Sequence, residues 1–227
     1  MNIIELHQLS FAWPDGQLAL DIPALQVQQG ERLFIKGASG SGKSTLLSLL
    51  AGIQIPRSGS LRVLDHSLGG LSARARDRFR ADHLGYIFQQ FNLLPFLGVL
   101  DNVLCALTFS PSKRARIAGD PRQEARRLLT ALQLPAALHE RPVHRLSVGQ
   151  QQRVAAARAL IGAPPLVIAD EPTSALDSDN RTAFLQLLFA ECERQGSTLL
   201  FVSHDAQLEP LFDRAENMQL LNRRPTC

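Results

Sequence analysis

Glu31-Arg32-Leu33-Phe34-Ile35-Lys36-Gly37-Ala38-Ser39-Gly40-Ser41-Gly42-Lys43-Ser44-Thr45 is the stretch on which the fold turns. Its first six residues enclose the apolar run Leu33, Phe34 and Ile35 and read as a short buried strand. Residues 37–42 contain only glycine, alanine and serine, and Lys43 to Ala51 carries leucines at 46, 47, 49 and 50, as a helix with an apolar face would. The loop fits the phosphate-binding pattern G-x-x-x-x-G-K-[ST]. Strand, glycine loop and helix in that order make a phosphate-binding α/β unit. Average composition would bring the four fixed positions together by accident in on the order of one chain in a hundred.

Each residue of that loop has a chemical reason to be there. The glycines let the backbone wrap so that N–H groups point at phosphate oxygens, and the helix N-terminus adds partial positive charge. Lys43 is expected to reach the β- and γ-phosphates, and the Ser44 hydroxyl to ligate Mg²⁺. The candidate nucleotide-binding set here is Gly37, Ala38, Ser39, Gly40, Ser41, Gly42, Lys43, Ser44 and Thr45.

Outward from the loop, Ile3 to Leu9 and Leu18 to Val27 read as strands around a turn at Pro14-Asp15-Gly16. Residues 72–82 and 121–132 are rich in Arg, Ala and Leu and predict helices. Their arginines (74, 76, 78, 80, 122, 126 and 127) are expected on solvated faces. Residues 110–120 mix Pro, Lys, Arg and Gly and predict a surface connection. A helix from Ser147 to Gly162 is stopped by Pro164-Pro165, and a strand over 166–169, a helix over 179–195, a strand over 198–202 and a short tail follow. Strands interleaved with helices indicate an α/β fold with a parallel sheet wrapped by helices.

The bulk properties narrow the class. The 227 residues suit one compact domain with room for a sub-domain. A net charge of +3 fits anionic ligands or an anionic membrane surface without selecting either. The N-terminal residues lack the pattern of a signal peptide, and no apolar run approaches the roughly 18 residues of a membrane span. Cys105, Cys192 and Cys227 are scattered and form no CxxC pair, so reduced thiols are expected rather than a disulfide framework or a zinc site.

A second motif supplies acid–base chemistry. Leu166-Val167-Ile168-Ala169-Asp170-Glu171 is an apolar strand delivering two carboxylates at its C-terminal end, where ligands bind in open α/β sheets. Asp170 is expected to hold Mg²⁺, directly or through water, and Glu171 to polarise the attacking water as general base.

Leu146-Ser147-Val148-Gly149-Gln150-Gln151-Gln152-Arg153, just ahead of that strand, resembles the LSGGQ signature of ATP-binding cassette proteins. The resemblance covers nearly the whole chain, from Trp13 to His204, with every motif in the family's order. It implies that Ser147, Gly149 and Gln150, at a helix N-terminus, bind the γ-phosphate of an ATP held by the opposite subunit. Val148 departs from the family's first glycine. It further implies that Gln89, in Tyr86-Ile87-Phe88-Gln89, is the Q-loop glutamine at Mg²⁺ and water, with Gln90 the other candidate. Asp177, in Ser174-Ala175-Leu176-Asp177, would cross the dimer interface; His204 would contact the γ-phosphate; Trp13 would stack on adenine. A Trp13 or Phe11 that merely covers an apolar edge is the plainer alternative.

The implied architecture is a P-loop NTPase (RecA-like) core with an antiparallel β portion, over about residues 1–89 and 159–227, and an inserted helical sub-domain over about 90–158. The implied activity is hydrolysis of Mg-ATP between two copies of the chain, driving a separate integral membrane permease through a coupling helix. Phe91-Asn92-Leu93-Leu94-Pro95 resembles the lipoprotein-release and macrolide-export branch, in which a periplasmic adaptor can take part. Phe91, Leu94, Phe96 and Leu97 are the candidate contacts to the permease. The implied location is peripheral, on the cytoplasmic face of the inner membrane. Two alternatives share the motifs: a cell-division-type ATPase that transmits force and moves no substrate, and a soluble DNA-repair-type ATPase. The second would need an inserted coiled coil or zinc module, which this chain lacks, so no nucleic-acid partner is expected.

Overall fold

The computed structural model describes residues 1–174, 176 and 178–223. In chain order its strands are β1 (Asn2–Ala12), β2 (Leu18–Gln28), β3 (Arg32–Lys36), β4 (Ser58–Val63), β5 (His66–Ser67), β6 (Leu84–Ile87), β7 (Leu166–Asp170), β8 (Thr198–Ser203) and β9 (Arg214–Asn217). Its helices are α1 (Lys43–Leu50), α2 (Ala73–His83), α3 (Val99–Thr108), α4 (Pro111–Ala115), α5 (Pro121–Ala131), α6 (Val148–Leu160), α7 (Ser178–Gln195) and α8 (Met218–Leu221). The fold is α/β, with parallel and antiparallel pairing both present. The chain divides into two compact units, Met1–Arg80 with Leu200–Cys227, and Ala81–Leu199.

In the first unit β1 is central to an antiparallel sheet of order β2-β1-β4-β5. Ile4 and Leu6 are buried, then two exposed residues intervene before the buried Leu9 and Phe11. A simple alternation would turn Leu9 outward; a shift of register between His7 and Ser10 keeps it in the core, with Gln8 at φ 47°. Opposite, Gly59 of β4 has no room for a side chain, because a Cβ there would lie 2.2 Å from the Gln8 carbonyl oxygen. Elsewhere in the unit β3 pairs parallel with β9, Leu33 opposite Arg214 and Lys36 opposite Asn217. Phe34, Phe201 and Phe212 pack as one cluster, with ring centroids 5.1–6.0 Å apart.

Three sequence readings need correction. The short tail contains β9 and α8; its residues Arg-Ala-Glu-Asn have no apolar pattern, and ion pairs hold the strand instead. Arg214 binds Glu31 at 2.6 Å and Glu216 at 2.5 Å, while Arg32 donates to Asp213. The arginines are not all solvated. Arg76 and Arg80 of α2 donate to the carbonyls of Ala51 and Gly52, capping the C-terminal end of α1 where the helix dipole favours cations. Arg127 binds Glu124 and Glu191, tying α5 to α7. Arg74, Arg78, Arg122 and Arg126 do face solvent.

The third correction concerns residues 110–120, which belong to the second unit. They contain α4 rather than a plain surface connection. Ser110 is fully buried and donates to Asp82 at 2.6 Å, Lys113 is only 4% exposed and donates to the Leu84 carbonyl at 2.7 Å, and Arg116 donates to the Asp82 carbonyl. In the same unit β6 and β7 pair parallel, Leu84 opposite Leu166 and Ile87 opposite Ala169. Helix α6 buries Val154, Ala155, Ala156, Ala157 and Leu160, and approaches β6 so closely that a Cβ on Gly85 would meet the Ala159 carbonyl oxygen at 2.2 Å. The segment expected as a helical insert, 90–158, lies inside this unit and holds α3, α4, α5 and most of α6. Among the described residues no helix is long and apolar enough to cross a membrane.

Candidate functional site

The first unit carries the phosphate loop. It leaves β3 at Lys36 and enters α1 at Lys43, with Gly40 at φ 75° and Gly42 at φ 102°. Gly42 occupies the N-cap of α1, where no side chain caps the first turn and no acidic residue competes for its N–H groups. A Cβ on Gly42 would meet Leu20 Cδ2 at 2.7 Å, and one on Gly37 would meet Ser41 Oγ at 2.6 Å. Lys43 is 7% exposed and donates from Nζ to the carbonyls of Gly37 at 2.7 Å and Ala38 at 3.0 Å, bridging the loop. The Ser41 hydroxyl oxygen is buried without a hydrogen-bond partner among the described residues. A curled backbone, a capless helix end, a cradle a side chain would fill and a lysine across its mouth fit a phosphate chain. Ala38, Ser39 and Ser44 face solvent, and Thr45 is half-buried.

Two other expected residues lie in this unit. Trp13 follows β1, half exposed, its ring edge-on to Phe11 at 5.0 Å and 84°. One face of the indole is thus available to a planar ring while Phe11 fixes its orientation. His204 follows directly on β8 and is exposed, and the Ser203 hydroxyl accepts from the Asp205 N–H at 3.1 Å to shape the turn.

The second unit carries the carboxylates. Asp170 closes β7 and Glu171 follows at φ 44°, a left-handed conformation that a side chain makes costly. The ladder of β6 and β7 ends with Ile87 opposite Ala169, so the segments that carry Gln89 and the two carboxylates leave the same end of adjacent parallel strands. Gln89 and Gln90 are both exposed. Burial, and next the Asp170 carboxylate, push the Tyr86 phenol well above its ordinary range, so it is neutral and stacks on Phe88 at 4.3 Å. The oxygen donors Asp170 and Gln89 of this unit are of the class that Mg²⁺ takes, as is the Ser44 hydroxyl of the first unit taken by itself.

Ser147 is the N-cap of α6 in a reciprocal box: its Oγ accepts from the Gln150 N–H at 3.3 Å, and its own N–H donates to the Gln150 side chain at 3.0 Å. Val148 is 50% exposed, and a Cβ on Gly149 would meet only Leu176, at an ordinary 3.5 Å. Among the described residues nothing requires glycine at 149. Asp177 lies outside the described residues.

Sequence reading missed the residues that hold these loops. Asn102, fully buried, binds the backbone of Leu94, Leu97 and Gly98 through its amide, and Arg158 donates to the carbonyls of Phe91 and Asn92. Their partners are backbone groups, which leave no mark in a side-chain pattern. Phe91 is itself buried, so of the four apolar candidates for a partner contact it is not offered; Phe96 is 79% exposed and Leu94 is exposed at the margin.

The family model described as ABC transporter matches residues 20–174. An uncharacterised ABC transporter ATP-binding protein, YbbA of Escherichia coli strain K12, is 40% identical over 97% of this chain and 95% of its own length. The lipoprotein-releasing system ATP-binding protein LolD of Syntrophotalea carbinolica is 36% identical over 95% of this chain and 94% of its own. A dimeric ATP-binding cassette solved in a post-hydrolysis state with ADP and Pi superposes with a TM-score of 0.84, at 34% identity, over 94% of this chain and 93% of that one.

Proposed function

This chain belongs to the ABC transporter family and is its ATP-hydrolysing subunit, and from that premise we propose that two copies close head to tail around two Mg-ATP to drive a separate membrane permease. The observation that carries the reading is Gly149. Among the described residues only Leu176 would come within 4 Å of a Cβ there, at an ordinary 3.5 Å, which suits a glycine that answers to something approaching from outside, at a helix N-terminus fit for an anion.

In this reading Gly37 to Thr45 of one copy wrap the phosphates, Lys43 supplies the positive charge and Trp13 stacks on the base. Ser147, Gly149 and Gln150 of the other copy close over the γ-phosphate, with Asp177 at the seam. Ser44, Asp170 and Gln89 hold Mg²⁺, which when bound neutralises charge developing on the phosphoryl oxygens. Glu171 accepts the proton of the attacking water, Gln89 orients that water and His204 holds the γ-phosphate. Loss of the shared phosphate reopens the pair, an order-and-release cycle.

The permease reading rests on the lipoprotein-releasing relative and on the exposed Phe96 beside Leu94. It places the chain peripherally on the cytoplasmic face of the inner membrane, receiving a coupling helix at that patch, in a lipoprotein-release or macrolide-export type of system that can include a periplasmic adaptor.

Mixed dimers test the composite site. Lys43→Ala and Gly149→Asp should each abolish turnover alone. Mixed in equal amounts, they should recover up to about a quarter of wild-type ATPase activity, because half of the pairs then hold one intact site. No recovery, with mixed pairs demonstrably formed, would show that each nucleotide is hydrolysed within a single copy.

A further inference from the structure

The phosphate loop is held at both ends by a turn of helix that sequence reading took for a tail. Helix α8 spans only Met218–Leu221, and the Asn222 N–H closes it on the Met218 carbonyl at 2.9 Å. Residues four apart share a helix face, and here both face the loop. Met218 is fully buried, with its Cβ 2.9 Å from where a side chain on Gly37 would begin. Asn222 is 6% exposed and uses its whole amide. Nδ2 donates to the Ser41 carbonyl at 3.2 Å and to the Ala19 carbonyl at 3.1 Å, while Oδ1 accepts from the Asp21 N–H at 2.8 Å. Two carbonyls on one side and an N–H on the other allow a single orientation of the amide. The Arg223 N–H extends the bridge to the Asp21 carbonyl at 2.8 Å.

These contacts bear on the conformation that makes the loop a cradle. The Ser41 carbonyl precedes Gly42, whose left-handed φ of 102° turns the chain into α1. A Cβ at Gly42 would lie 3.3 Å from Asn222 Nδ2 and 3.4 Å from the Ala19 carbonyl oxygen, so loop, β2 and amide interlock at that peptide. Asn222 also lies beyond residues 20–174, the span that the family model matches. We infer that Asn222 is a positioning residue for nucleotide: through the Ser41 carbonyl it fixes the peptide that presents the first N–H groups of α1 to the phosphates. The inference rests on the proposed role of Gly37 to Thr45. A preformed cradle spares the ordering cost at binding, so loss of the amide falls on affinity rather than on the chemical step.

Steady-state ATPase kinetics with Mg-ATP and binding of a fluorescent ATP analogue, on the full chain, test this with three variants. Asn222→Ala should raise KM and Kd about tenfold with kcat within about threefold of wild type. Asn222→Asp keeps the acceptor for the Asp21 N–H but loses both donors, and should show the same split. Asp213→Ala removes the carboxylate that accepts from the Arg32 N–H at 2.8 Å, at the end of β3 remote from the loop; it should lower Tm while leaving KM in place. If both Asn222 variants lose Tm but bind nucleotide like wild type, the amide is structural only and the inference falls. If Asn222→Ala does not fold, Asn222→Asp decides the same question. A wild-type chain that does not bind the analogue would sink the nucleotide reading as well, which separates the two failures.

Discussion

Glu171 holds a backbone angle of φ 44° directly after the last residue of β7. A non-glycine residue in that region costs on the order of 1–3 kcal/mol, which the surrounding structure must over-determine. Here the strained residue is the proposed base: the Glu171 carbonyl accepts from the Ser174 N–H at 3.2 Å, and parallel pairing fixes the strand behind it. Glu171→Gln keeps the backbone and the side-chain volume and removes only proton acceptance. ATP turnover should fall by on the order of a hundredfold or more, nucleotide binding should persist, and an ATP-dependent dimer should accumulate on size exclusion. Wild-type turnover in that variant would remove Glu171 from the role of base. The sequence points to Glu171 through its place after an apolar strand, but gives no sign of the strained angle, which arises from the turn that follows.

At the scale of elements, α4 is fastened by buried hydrogen bonds, and its buried cation carries a penalty. Lys113 is buried against the Leu84 carbonyl, and its amine falls to about 8, chiefly through burial and next through the Arg116 guanidinium, with Asp82 opposing. The unfolded chain, at an ordinary 10.5, therefore binds the proton more tightly than the native one. The penalty is full below pH 8 and is relieved as pH rises from there towards 10.5. The unfolding free energy of the wild type, relative to Lys113→Met, should rise by about 2 kcal/mol between about pH 7 and 10. A flat difference, measured by urea titration across that range, would mean that the amine stays solvated.

The same scale shows why some elements were legible and others were not. β3, α1, β7 and α6 announce themselves because apolar period, glycine loop and cap lie within a few neighbouring residues. β9 has the polar sequence Arg-Ala-Glu-Asn and exists because Arg32, Glu31 and β3, about 180 residues away along the chain, complete it. Ser110 to Arg116 looks like a connection because its partners, Asp82 and Leu84, lie in another part of the sequence. Arg76 and Arg80 sit in a charge run that reads as solvated until the end of α1 comes into place. Local periodicity reports what one element can do alone; ion pairs and caps report its neighbours.

For the molecule as a whole, each unit offers a different surface. The second exposes Phe96 at 79% and Phe109 at 72%, and the loop leading to Phe96 is fixed from beneath by Asn102 and Arg158. A large exposed apolar side chain on a rigid loop suits a protein partner. Phe96→Ser should leave basal ATPase activity within about twofold and should strip the permease from the tagged protein when native membranes are solubilised. Permease recovered in undiminished yield would move the contact elsewhere. The resemblance read from the sequence suggests a place for such a contact, and burial of the Phe91 side chain removes that residue from the candidates.

The closure of β3 by β9, and of the phosphate loop by α8, has a consequence for the order of synthesis. Residues 31–45 leave the ribosome before the segment 214–222 that completes them, which comes about 180 residues later. Until then β3 lacks β9 at its side and the Ser41 peptide lacks its amide. Between the two the nascent chain carries its most recognisable motif without the partner that shapes it, and nucleotide can assist the fold only after that segment has emerged.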